Sequence, residues 1–296
     1  VSKQVDIITK SYQDAPAQKW SCDGSPEFTL EETDKAERGT DIVMPIDEDA
    51  KEFLEKDKLE GLLKKFCRFL PVPVVFGKKQ EWKDGKYQDT EEDNVINDTE
   101  PLWIRKPSEL KDEDYKAFYR QLYPMADEPL FWIHLNMDYP FNLKGLLYFP
   151  RINTEYDFIE GTIKLYNNQV FIADNIKEVI PEYLMLLKGV IDCPDLPLNV
   201  SRSALQNDGF VTKISDYISK KVADRLSGMC KTDRENYEKY WDDINPFIKF
   251  GCIKDSKFSE KMIDYVLYKN IDDKYLTLKN YIEDNEKFAE GGEEVV

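Results

Sequence analysis

Between a short apolar run, Val190–Ile191, and a helical stripe, Val211, Ile214, Ile218, Val222 and Leu226, the chain carries two prolines, Pro194 and Pro197. Proline fixes its own φ and drives the residue before it out of helix. The connection must therefore run extended before it can turn helical. Asn199 or Ser201 is placed to cap a short helix starting near Arg202. Arg202 and Gln206 stand four apart, so one helical turn presents both on the same side. A guanidinium and an amide on a first helical turn suit an oxyanion. From spacing alone a surface turn in which Arg202 pairs with Asp195 or Asp208 is the commoner arrangement.

The rest of the pattern is mixed. Val5–Lys10, Lys19–Cys22, Glu27–Leu30 and Thr40–Pro45 read as strands, with a turn at Asp23-Gly24-Ser25. Phe53, Leu59, Leu62, Leu63, Phe66 and Leu70 recur at helical spacing until Pro71 and Pro73, and Val72–Phe76 reads as a strand. Residues 77–100 crowd charges with few apolar side chains, as a linker with room for a short hairpin around Tyr87. Beyond it come a helix over Asp112–Leu122 and paired strands over Phe131–Met137 and Phe141–Phe149. Strands at Ile163–Tyr166 and Val170–Ile172 follow, then a helix over Val179–Leu187. The long stripe is core packing, ended by Gly228, and 229–290 reads as mostly helical. Alternating strands and helices in both halves give an α/β (α+β) fold class. At 296 residues the chain is long enough for two domains.

Charge and motifs narrow the function. A net charge of −17, from 58 acids against 41 bases, disfavours nucleic acid as a partner. No apolar run reaches the length of a membrane span, and Val1-Ser2-Lys3-Gln4 does not open a signal peptide. Five scattered cysteines, Cys22, Cys67, Cys193, Cys230 and Cys252, form no CxxC pair and suit a reducing cytosol. No metal site is expected. There is no Walker A loop, GxGxxG or HExxH. The single histidine, His134, sits in a strand pattern and reads as structural.

The run Leu-Pro-Leu-Asn-Val-Ser-Arg at 196–202, followed by Leu205-Gln206, resembles the catalytic-loop signature of the heat-shock protein 90 chaperones. Ile180-Pro181-Glu182-Tyr183-Leu184 and Lys188-Gly189-Val190-Ile191-Asp192 resemble that family's approach to the loop. Lys164-Leu165-Tyr166 and Val170 to Asn175 resemble the strands before it. Pro101-Leu102-Trp103 resembles the start of the family's middle domain. Arg38-Gly39-Thr40 with Ile42 resembles the last strands of its nucleotide domain. The short polar connection before Pro101 fits the bacterial type.

The resemblance implies that residues 1–76 are the C-terminal part of a GHKL-type ATPase sandwich, shared with gyrase and histidine kinases. Residues 77–100 would be a charged linker. A middle domain over 101–290 would follow, with a large α/β part to about 227, then a helical and smaller α/β part and a tail at 291–296. It implies an ATP-dependent chaperone, with ATP and Mg²⁺ as cofactors and unfolded proteins as clients, in the cytoplasm. It further implies a homodimer formed through a C-terminal domain outside this chain. Arg202 would meet the γ-phosphate, supported by Asn199 and Gln206, and Thr40 would lie near the adenine. Leu102 and Trp103, as an exposed pair after the linker, and Phe158 and Ile159 would face clients. An ordinary buried first strand fits Trp103 equally well. The adenine and Mg²⁺ residues would precede Val1, so the chain reads as an internal stretch that is inactive alone. The sequence departs from the family at Glu155, where a proline is usual, and in lacking the lysine run of that loop. It also has Asn167, Asn168 and Gln169 where the family is basic. Two other readings remain: a topoisomerase or mismatch-repair subunit of the same superfamily, and a non-catalytic interaction scaffold.

Overall fold

The computed structural model describes residues 2–83, 85–151, 162–174, 179–197 and 208–286. It divides into two compact units, Val1–Arg68 with Val74–Ile96, and Phe69–Pro73 with Asn97–Val296.

The first unit holds strands β1 (Val5–Lys10), β2 (Ala17–Cys22), β3 (Thr29–Thr33) and β4 (Gly39–Val43). They form one antiparallel sheet in the order β3-β2-β1-β4. Helix α1 covers Lys56–Phe66 after a 3₁₀ segment over Glu48–Leu54, so the expected single helix from Asp49 to Leu70 is broken at Glu55. Within residues 77–100 the short hairpin expected around Tyr87 is present, and it is longer than a linker would hold. β5 (Val75–Lys83) and β6 (Lys86–Val95) pair along their length as a ribbon, with Trp82 packed edge-on to Tyr87 at 4.9 Å. Cross-strand ion pairs Lys78–Asp93 and Lys79–Glu92 use the charges that had suggested a linker. A charge run can mark a solvated strand pair as well as a loop, because both faces of a ribbon meet water.

The second unit is a sheet covered on both faces. Strands β7 (Phe131–Met137), β8 (Leu143–Phe149), β9 (Ile163–Asn167), β10 (Val170–Asp174) and β11 (Lys188–Asp192) lie in the order β10-β9-β11-β8-β7. All neighbours are antiparallel except β9 and β11. Successive side chains point to opposite faces. In β8, Leu143, Leu147 and Phe149 join one core while Leu146 and Tyr148 join the other. The first core is closed by α3 (Asp208–Thr232), whose Val211, Ile214, Ile218, Val222 and Leu226 are buried, as their spacing requires. α3 runs past Gly228 because nothing there obliges the glycine to leave helical geometry. The second core is closed by α2 (Asp112–Leu122) through Tyr115, Phe118, Tyr119 and Leu122. The helix expected over Val179–Leu187 is reduced to a 3₁₀ turn at Glu182–Leu184. Tyr183 and Leu184 are buried there, in a segment that must straighten into β11 at Lys188. The remaining helices are α4 (Arg234–Lys239), α5 (Trp241–Lys254), α6 (Ser256–Met262) and α7 (Leu278–Asn285). A small pair, β12 (Tyr268–Lys269) and β13 (Tyr275–Leu276), interrupts what the sequence suggested was mostly helical.

β8 and β11 approach closely at two glycines. A Cβ on Gly189 would lie 1.9 Å from the Leu146 carbonyl oxygen, and its φ of +148° disfavours any side chain. A Cβ on Gly145 would lie 2.5 Å from the Val190 oxygen. Tyr123, just after α2, places its hydroxyl at this point. It accepts from the Gly189 N–H at 2.8 Å and lies 2.5 Å from the Thr162 carbonyl, to which it donates. Helix and sheet are thereby pinned where β11 begins.

Candidate functional site

Arg202, Asn199 and Gln206 lie outside the described residues, as do Phe158 and Ile159. What the structure defines is how the chain enters and leaves 198–207. On the entry side, the Cys193 N–H donates to the Tyr166 carbonyl at 3.1 Å and the Cys193 side chain is buried. Asn167 Nδ2 donates to the carbonyls of Cys193 and Pro194, both at 3.0 Å. Asp195 Oδ2 accepts from the Asn142 backbone N–H at 2.7 Å and from Asn142 Nδ2 at 3.0 Å. Leu196 is buried. On the exit side, Phe210 packs edge-on to Phe141 at 5.5 Å, and Val211 and Ile214 sink into the core. Both ends are thus fixed on one β7–β8 turn, through Asn142 and Phe141. The residues on both sides of 198–207 are therefore anchored.

Behind the entry stands Asp192, 4 % exposed. Its Oδ2 accepts from Trp103 Nε1 at 3.2 Å and from the Gln169 backbone N–H at 3.0 Å. Its Oδ1 is buried without a hydrogen-bond partner among the described residues. Burial raises its carboxyl above the ordinary aspartate value, against the pull of the Trp103 and Gln169 bonds and of Lys144. The sequence reading passed over this residue. The signal was present, an acid at the end of an apolar strand run, but its partners lie 89 and 23 residues away.

The expected exposed pair after the linker is corrected. Trp103 is 1 % exposed and Leu102 8 %. Trp103 packs against Phe69 at 4.7 Å, Tyr166 at 5.3 Å and Phe118 at 5.9 Å. Burying a large aromatic beneath α2 outweighs leaving it in water, so neither residue offers a surface. Thr40 is exposed on β4, with its Oγ1 2.8 Å from that of Thr9 on the neighbouring strand. His134 is a packing residue, as its strand pattern suggested. Its Nε2 lies 3.3 Å from the Trp103 carbonyl, which can only accept, so Nε2 carries the proton and Nδ1 accepts from the Tyr115 hydroxyl at 2.9 Å. Among the described residues no cluster of three or more His, Cys, Asp or Glu could hold a metal ion, and no helix is long and apolar enough to cross a membrane.

A mixed sheet with a core on each face, whose strand β11 leads through Pro194 and Pro197 toward a long helix, is an α+β domain, and the words at 196–202 between them resemble those of the Hsp90 type. The Hsp90 protein family model matches residues 78–291, and the chain belongs to that family. Three bacterial proteins illustrate the similarity. The chain is 59 % identical over 290 residues to the chaperone protein HtpG of Bacteroides fragilis, covering 97 % of this chain and 43 % of that protein. It is 59 % identical over 282 residues to the HtpG of Porphyromonas gingivalis, covering 95 % and 41 %. The HtpG of Clostridium perfringens is 32 % identical over 298 residues, covering 96 % and 48 %. The chain therefore spans less than half the length of the curated relatives it matches.

Proposed function

We propose that the intact protein is an ATP-dependent molecular chaperone in which this chain supplies the arginine that meets the γ-phosphate. The observation that carries this is the family match over 78–291, together with relatives named chaperone protein HtpG. It favours a chaperone over a DNA topoisomerase or mismatch-repair subunit and over a scaffold without catalysis. The contacts that fix Cys193, Pro194 and Asp195 before 198–207 and Phe210 after it support this reading. Charge builds on the γ-phosphate during phosphoryl transfer, and a bidentate guanidinium offsets it best in a closed, dry site. Arg202 takes that part, with Asn199 and Gln206 shaping the loop and the phosphate contacts.

The remaining assignments follow from the same reading. The first unit is the C-terminal part of a GHKL-type sandwich, with Thr40 near the adenine, and the middle domain begins near residue 101. ATP and Mg²⁺ are gripped mainly by residues preceding this chain, so the 296 residues alone do not turn over ATP. Unfolded clients meet the face bearing Phe158 and Ile159. The protein dimerises through a C-terminal domain outside this chain and works in the cytoplasm.

The test is steady-state ATPase of the full-length protein with Arg202→Ala and Arg202→Lys, beside nucleotide affinity and a thermal melt. Arg202→Ala should lower kcat by roughly 10- to 1000-fold, the range for losing one transition-state charge partner. Affinity and melting should change little, and lysine should restore turnover in part. Unchanged turnover in the alanine variant would refute the assignment.

A further inference from the structure

A cleft of about 440 Å³ opens where the end of α2 meets one end of the second unit's sheet. Tyr119 lies on the last turn of α2, and Tyr123, Pro124 and Met125 follow that helix. Arg151 comes after β8, Thr162 before β9, and Lys188 opens β11. β11 runs from this cleft to Asp192, so the cleft stands at the opposite end of the strand from the entry to 198–207. Its volume falls in the range of small-molecule sites, roughly 300–1,000 Å³.

The walls are held by the fold. The Tyr123 hydroxyl bonds the Gly189 N–H and the Thr162 carbonyl, which ties the loop after α2 to the starts of β9 and β11. Lys188 Nζ stands 5.5 Å from the centroid of the Tyr123 ring. Met125 is 98 % exposed, an unbranched apolar side chain that adapts to what it meets.

The charges of the cleft are out of balance. Among the described residues Arg151 and Lys188 form no ion pair. Lys116 and Arg120 of α2, by contrast, share Glu113 and Glu128. Asp127 is the one acid among the described lining residues, so two cations face one carboxylate in a chain whose net charge is −17. Tyr119 brings a further donor. Its ring packs against Tyr123 at 5.2 Å and Tyr148 at 4.9 Å, and its hydroxyl is buried without a hydrogen-bond partner among the described residues. Burial first, and Asp127 second, push that hydroxyl up to about 12, so it keeps its proton at neutral pH. An inorganic anion would answer the cations and leave Tyr123, Pro124 and Met125 facing water. An uncharged apolar molecule would cover those walls and leave two cations without a partner.

We propose that this cleft binds a small organic acid, a carboxylate or phosphate monoester on an apolar body. Arg151 and Lys188 hold the acid group, the first as a planar fork and the second as a point charge. Tyr119 donates its hydroxyl from the inner wall, and the body lies against Tyr123, Pro124 and Met125. The site is independent of the Arg202 reading, because its lining belongs to the other end of β11.

The experiment is NMR titration of the 296-residue chain with phenyl phosphate, phenylacetate, inorganic phosphate and benzyl alcohol. The first two carry head group and body, the third the head group alone, and the fourth the body alone. Phenyl phosphate or phenylacetate should saturate with a Kd of about 1 mM or tighter, within reach of a fragment of this size. Binding should be at least about tenfold tighter than for inorganic phosphate or benzyl alcohol, and the tighter of the two acids identifies the head group. Arg151→Ala and Lys188→Ala should each weaken it about tenfold, the effect of losing one charge-assisted hydrogen bond. Lys188→Gln keeps most of the aliphatic stem and should show the same loss with an unchanged thermal melt. Tyr119→Phe should weaken binding about threefold without lowering the melting temperature, because its hydroxyl has no partner in the protein to lose. Lys116→Ala removes a lysine already paired on α2 and should bind as wild type. Failure of both acids to saturate would overturn the proposal. So would benzyl alcohol binding as tightly as the acids, or wild-type affinity in both Arg151→Ala and Lys188→Gln.

Discussion

His134 is an internal reporter at the scale of one residue. It is the one histidine in the chain, so its imidazole signals need no assignment. Burial lowers its pKa below the ordinary histidine value, with the Trp103 carbonyl pulling the other way. The folded state thus prefers the neutral ring, and its contribution to stability is lost as pH falls through the unfolded value near 6.5 toward the folded one. NMR titration of this chain should find the Nε2–H tautomer at neutral pH and a midpoint below that of an exposed histidine. A midpoint at or above the ordinary value would mean the Tyr115–His134–Trp103 chain is not formed. The sequence identified His134 as a strand residue because its neighbours Ile133 and Leu135 alternate with it. It could not place Trp103, since Pro101-Leu102-Trp103 reads alike as an exposed anchor or as the first buried turn. The deciding facts, Phe69 and Tyr166 on either side, come from distant parts of the chain.

Among the elements, β11 is the most constrained. It pairs with β8 on one edge and β9 on the other, and Gly189 lets the Leu146 carbonyl approach. Gly189→Ala adds a methyl group 1.9 Å from that oxygen at a φ of +148°. Backbone strain and overpacking, each about 1–3 kcal/mol, should together destabilise the second unit by roughly 2–6 kcal/mol. Urea denaturation would measure it, and a variant within 0.5 kcal/mol of wild type, roughly the surface-substitution range, would show that the strands separate freely. Strongly periodic elements were legible: β7, β8, α2 and the core stripe of α3 lie where alternation and helical spacing put them. Other elements were read only in part. The hairpin around Tyr87 was legible, but the length of the β5–β6 ribbon was hidden by charge, because a strand with both faces in water carries no alternation. The turn at Glu182–Leu184 has apolar spacing like a helix, but its burial comes from filling the core as the chain turns into β11. The candidate site was legible as words, in 196–206, and illegible as geometry, because Asn142, Asn167 and Gln169 carry no pattern of their own.

Across the whole molecule the two units are unequal. The second has a core on each face of its sheet. In the first, Ala17 and Ala50 are the fully buried apolar residues among those described, while Phe28, Leu30, Ile42 and Met44 are exposed. An exposed apolar set of this kind marks a face that needs a covering layer. In hydrogen exchange on this chain, β1–β4 and α1 should exchange well before β7, β8 and β11. Equal protection in both units of the isolated chain would show that the first unit is self-sufficient.

The chain passes between the two units three times, after Arg68, after Pro73 and after Ile96, with a consequence for how such a protein can be recombined. Phe69 lies before the ribbon in sequence, yet it is fully buried among Trp103, Phe118 and Tyr166 of the second unit. A crossover between related genes placed near codon 100 would unite a second unit with another parent's Phe69 segment. A cut at the same place would remove that aromatic altogether and open a void worth about 3–5 kcal/mol, the usual cost of deleting a buried phenylalanine. The two halves can therefore be exchanged cleanly only if residues 69–73 travel with the half that follows them in space and not with the half that surrounds them in sequence.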